Sequence, residues 1–129
     1  MSALSKILRD TVSNGLAFWC PGCDRMHMVR IGEGPGPRWT YNGDAERPTF
    51  SPSILVKGRQ MTAKGHADFR EWLASGRAYT PPEFESVDLI CHSFVCDGQI
   101  QFLGDCTHAL AGQTVPIPIW PDEDKNLPF

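Results

Sequence analysis

The chain's 129 residues suffice for one domain and are too few for two independent cores. With 41% hydrophobic and 21% charged residues it is too apolar to be disordered, and a net charge of −3 leaves no electrostatic footprint for wrapping duplex nucleic acid. The longest apolar runs are about five residues, against the roughly 20 that a membrane span needs, and Lys6, Arg9, Asp10 and Asn14 break up the apolar residues of 1–19 where a secretory core would run uninterrupted. The expectation is a soluble, cytoplasmic domain with neither nucleic acid nor membrane as partner.

In chain order, residues 1–14 read as a short, uncapped amphipathic start, with Leu4, Ile7, Leu8 and Val12 on one helical face. Leu16 to Trp19 is a short strand that runs into Cys-Pro-Gly-Cys, and Arg25 to Ile31 is its return strand, ended by the Gly/Pro-rich stretch 32–37. Trp39 and Tyr41 alternate with polar neighbours before the Asn42-Gly43 turn. Thr49 to Lys57 follows as a strand, at an edge or bulged position because of Pro48 and Pro52.

The clearest helix covers 62–76, with Thr62 as cap, Phe69, Trp72 and Leu73 at i, i+3, i+4, and Gly76 as terminator. Asp88 to Leu103 is a hairpin turning at Asp97-Gly98. A two-residue turn there pairs Val95 with Ile100 and Ser93 with Phe102. Asp105 is placed to cap a single helical turn over 106–111, closed by Gly112, and the proline-rich tail lies extended. The fold class is α+β, a small, mostly antiparallel β domain with one main helix.

Chemistry concentrates in five cysteines and four histidines. Five is odd, which excludes a fully paired disulfide framework. Cys20 and Cys23 on a tight turn can aim both sulfurs at one tetrahedral centre, as a zinc knuckle requires. The same tetrapeptide also admits a thioredoxin-like redox pair or two inert thiols, although the residues after it leave no room for the helix that a redox pair needs.

On the hairpin, period-two alternation puts Cys91, Ser93 and Val95 on the apolar face and His92, Phe94 and Cys96 on the other. Cys91 is therefore the better third zinc ligand. His27 is taken as the fourth, with His92, His108 and Cys106 as competitors for the place. His66 reads as a solvated surface residue and Cys96 as an exposed thiol. What remains, His92, Ser93, Asp105 and His108, can supply a nucleophile, a base and an orienter: Ser93 or an activated water attacking, His108 as base, Asp105 or His92 orienting.

Four blocks carry a resemblance: PheTrpCysProGlyCys at 18–23 followed by His27, ProThrPheSerProSer at 48–53, CysHisSerPheVal at 91–95 with Asp97-Gly98, and AspCysThrHisAlaLeuAlaGly at 105–112. Together they resemble a family of small Cys/His-rich proteins of phage and prophage, sometimes labelled ammonia monooxygenase, a membrane copper chemistry that this chain cannot build. Relatives stand beside bacterial ubiquitin-like conjugation genes. The resemblance implies a single zinc-binding domain over 1–129 in the bacterial host cytoplasm, with the helical segment at about 59–86 as an insertion outside the motifs. It implies a hydrolase or peptidase acting on a ubiquitin-like modifier, with a non-catalytic zinc module binding a host protein as the alternative.

Overall fold

The computed structural model describes residues 1–81 and 83–121; the last part of the tail, 122–129, lies outside them. Two antiparallel sheets enclose the core. The first has the order β1 (Ser2–Ala3), β2 (Arg9–Thr11), β3 (Gly15–Cys20), β4 (Arg25–Arg30). The second has the order β5 (Thr40–Tyr41), β6 (Phe50–Met61), β7 (Ser86–Cys96), β8 (Gln99–Phe102), β9 (Thr114–Pro116). Helix α1 (Ala63–Ala74) connects β6 to β7.

The strand β7 shows most directly why these residues fold this way. Its odd positions Leu89, Cys91, Ser93 and Val95 are all buried, while Phe94 and Cys96 are exposed and His92 half-buried, the alternation of a strand with one face in the core. Asp97 and Gly98 both take positive φ (52° and 77°), the conformation that closes a two-residue hairpin, and the register pairs Ser93 with Phe102 and Val95 with Ile100 as the sequence predicts.

Phe18 of β3, fully buried, stacks on Phe50 of β6 at 6.3 Å and meets the His27 ring edge-on at 5.8 Å, so this one side chain joins the two sheets. On the other side of β3, Trp19 packs against Trp120, whose indole donates to the Ile7 carbonyl and lies under the Arg9 guanidinium at 4.0 Å.

Residues 1–14 are not helical. Ser13 and Asn14 adopt positive φ and turn β2 back onto β3, and Leu8 is buried while Val12 is 88% exposed, so the helical face read from the sequence is not used. Helix α1 forms where expected, with the Thr62 hydroxyl accepting from the Gly65 amide at 3.1 Å. It packs Phe69 and Trp72 against Phe84 rather than entering the main core. Residues 105–112 form successive turns instead of one helical turn. Thr107 exchanges hydrogen bonds with Ile90 of β7, its amide donating to the Ile90 carbonyl and its hydroxyl accepting from the Ile90 amide, which holds the segment along that strand.

Phe18→Ala should open a cavity between the sheets and cost about 3–5 kcal/mol in chemical denaturation. Phe69→Ala, outside the main core, should cost distinctly less.

Candidate active site and metal centre

Alternation sends His92 of β7 outward and fixes its backbone from the far side. The Leu103 amide donates to its carbonyl at 2.9 Å; its own amide donates to Cys106 Sγ at 3.3 Å, and Cys106 Sγ donates back to the His92 carbonyl at 3.2 Å. The imidazole then has two partners. Nδ1 lies 3.2 Å from Asp105 Oδ2, and Nε2 lies 3.0 Å from the hydroxyl of Ser53.

Ser53 stands in the irregular part of β6, where the register against β7 slips between Phe50 and Ile54. Ile54 is buried and Leu55 stands opposite His92, so Ser53, two residues before Leu55, shares the outward face with the imidazole. The Ser53 carbonyl is held in turn by the Trp39 indole at 3.2 Å. With the imidazole proton on Nδ1 facing the carboxylate, Nε2 can accept the Ser53 proton, the hydroxyl–imidazole–carboxylate order of an activated nucleophile. The constellation sits at the surface, with the His92 side chain 26% exposed and that of Asp105 54%.

Of the four residues singled out for catalysis, the structure brings His92 and Asp105 together and sets Ser93 and His108 apart. Ser93 is 1% exposed on the opposite, core-facing side of β7, a consequence of the same alternation that turns His92 outward. The His108 ring packs edge-on against Phe102 at 4.6 Å and its Nδ1 accepts from the Leu110 amide. Asp105 spends its carboxylate on His92 rather than on a helix cap. Ser53, which the sequence does not single out as a site residue, joins His92 on the outward face, two residues before Leu55, the cross-strand partner of His92.

A Cys/His cluster lies on the other side of β7. Cys20 at the end of β3, Cys23 in the turn, His27 on β4 opposite Phe18, and Cys91 on β7 are all buried, with their ligand atoms within 4.8 Å of one another. The turn is built for this convergence: the Asp24 amide donates to the Cys20 carbonyl at 2.9 Å and the Cys23 amide to Cys20 Sγ at 3.4 Å. Cys20 Sγ and Cys91 Sγ are 3.9 Å apart.

His27 Nε2 is buried without a hydrogen-bond partner among the described residues, which a cation between the sulfurs would supply. Cys20 is held far below its ordinary value, first by the hydrogen bond from Cys23 and then by that from Cys91; Cys23 is pushed up to about 12, and Cys91 is pushed up too, each chiefly by its bond to Cys20. Three sulfurs and an imidazole nitrogen within 4.8 Å of one another form a donor set that fits a soft metal ion, under which each sulfur would be a thiolate. The segment after Cys23 is the strand β4 and not a helix, so the helix end that would activate a thioredoxin-like pair is absent there. A second group, Cys91, Cys106 and His108, shares Cys91 with the first.

The burial of Cys20, Cys23 and Cys91 against the exposure of Cys96 gives a direct test. In folded protein, iodoacetamide should modify Cys96 first, with the three clustered cysteines protected until denaturation, as read by peptide mass mapping.

No curated protein and no solved structure is matched by the chain. A family model described as "Bacterial ubiquitination-like system serine protease (BubE)" matches residues 3–103. The matched span holds all four of the first cluster's residues together with Ser53 and His92, and it stops two residues short of Asp105. A buried Cys/His cluster behind β7 and a hydroxyl–imidazole–carboxylate set in front of it therefore belong to a chain that is a member of the BubE family of serine proteases of a bacterial ubiquitination-like system.

Proposed function

We propose that the chain is a serine protease that cuts the acyl bond, peptide or ester, at the carboxyl end of a ubiquitin-like modifier. The carrying observation is the double engagement of His92, Nε2 on Ser53 Oγ at 3.0 Å and Nδ1 on Asp105 Oδ2 at 3.2 Å. Ser53 thus takes the nucleophilic part that Ser93 was expected to play, and His92 rather than His108 is the base.

His92 Nε2 takes the Ser53 proton as Oγ bonds to the substrate carbonyl carbon, and Asp105 stabilises the imidazolium that results. The imidazolium returns the proton to the leaving amine or alcohol as the carbon–leaving-group bond breaks, which leaves the modifier esterified on Ser53. Water, deprotonated by His92, then hydrolyses this ester and restores the serine.

Cys20, Cys23, Cys91 and His27 would hold zinc in a closed tetrahedral set, a structural ion with little Lewis acidity behind three thiolates. When bound, it supplies folding free energy and a fixed anchor for β7. The placement of Ser53 beside the partly exposed His92 ring, and the family's protease description, favour this reading over a module that binds a partner without chemistry.

Ser53→Ala should lower turnover of a modifier-derived peptide ester about a thousandfold or more and abolish labelling by a fluorophosphonate. Ser93→Ala should leave the labelling in place. Asp105→Asn should cost about 100- to 10,000-fold in kcat through the wrong imidazole tautomer. Labelling that survives Ser53→Ala would remove Ser53 from the mechanism. Elemental analysis should find about one zinc per chain, and Cys20→Ser should cost several kcal/mol or prevent folding; folded wild-type protein with no zinc would end the metal assignment.

A further inference from the structure

Strand β6 is covered on one side by β7 along almost its whole length, but on the other side β5 pairs only with Phe50 and Ser51. Just before β5, Trp39 bridges to Ile31 and bonds the Ser53 carbonyl through its indole, so the neighbouring chain leaves the edge of β6 at Ser53. Beyond it, among the described residues, nothing pairs with the outer edge of Ile54–Gly58, and Leu55, Lys57 and Gly58 are exposed.

Parity tells which backbone groups face outward. The groups of His92 and Ile90 point toward β8 and the loop after it: His92 bonds Leu103 and Cys106, and Ile90 bonds Thr107. Cys91 and Ser93 therefore face β6, where they stand opposite Val56 and Ile54. The amides and carbonyls of Leu55 and Lys57 are left pointing to the open edge, in step with Ser53, whose carbonyl faces Trp39 on the same side. Unpaired strand groups of this kind are a template for another strand.

We propose that this edge, Leu55 to Lys57, receives the carboxyl-terminal tail of the modifier as an added antiparallel strand; the inference rests on the Ser53 reading above. Direction chooses the occupant. A strand antiparallel to β6 continues the line of β5 and runs from opposite Gly58 toward opposite Ser53, so its carboxyl end arrives at the nucleophile. The residues it pairs are all on the acyl side of the scissile bond, which suits a substrate recognised by its tail and released from varied leaving groups. Main-chain bonds supply affinity in this mode. Leu55, half exposed and directly across from His92, offers an apolar contact to the tail side chains on that face.

The test uses modifier-tail esters of increasing length, with an acetyl ester as the shortest. In wild-type protein kcat/KM should rise with acyl-side length until the tail spans Lys57, then level off. N-methylation of the substrate amides should cost about tenfold at alternate residues and little at those between, the period-two mark of strand pairing. Lys57→Pro removes one outward amide without touching the ladder to β7. It should lower kcat/KM for the long ester about tenfold more than for the acetyl ester.

A rate independent of length, or N-methyl losses without alternation, would overturn the proposal even if Lys57→Pro folded poorly. So would a dimer in sedimentation that Lys57→Pro dissociates with peptide turnover unaltered, which would give the edge to a second copy of the chain. Wild-type protein that neither labels at Ser53 nor cleaves the acetyl ester would instead overturn the catalytic reading, and this inference with it.

Discussion

Everything about the site depends on two adjacent residues of β7 pointing opposite ways. Cys91 turns inward to the sulfur cluster and His92 outward to Ser53, because consecutive side chains of a strand emerge on opposite faces. A rotation of the strand about its axis would move both at once. Whatever fixes the Cys91 sulfur therefore fixes the plane from which the imidazole projects, and the cluster needs no contact with substrate to govern the geometry of Ser53 and His92.

The segment after β8 repeats the device. Asp105 and Cys106 are neighbours: the carboxylate reaches the His92 ring from one side while the thiol bonds the His92 backbone from the other. The histidine is thus gripped at its amide, its carbonyl and its ring by two consecutive residues. The hydrogen bonds of Thr107 to Ile90 keep that segment in register with the strand it serves. Side-chain and backbone bonds of this kind are individually modest, but a residue held at three points loses the freedom to leave its rotamer.

How much of this could be read in the sequence depended on how local the signal was. The hairpin around Asp97-Gly98, its register and the inward turn of Cys91 follow from a two-residue turn and the period of two, both complete within about 16 residues. The convergence of Cys20, Cys23 and His27 follows from a short hairpin in the same way. The amino-terminal strands did not follow, because helical spacing of Leu4, Ile7, Leu8 and Val12 outweighed the turn at Ser13-Asn14-Gly15, which pairing with β3 then decided. Ser53 was hidden for a different reason. It lies 39 residues from His92, and what brings the two together is the register of β6 against β7, which sets Leu55 opposite His92, a property of the paired sheet rather than of the segment itself.

Gly22, the third residue of the Cys-Pro-Gly-Cys turn, has an ordinary negative φ, so its conformation does not demand glycine. What demands it is the His108 imidazole, which occupies the space where a β-carbon would stand. Position 22 is thus a clearance set by a side chain far along the chain, three residues beyond Asp105. Exchanging Gly22 for even alanine would put a methyl group inside the space of the imidazole, so His108, and with it the loop that also carries Asp105, must shift for the knuckle to keep its shape.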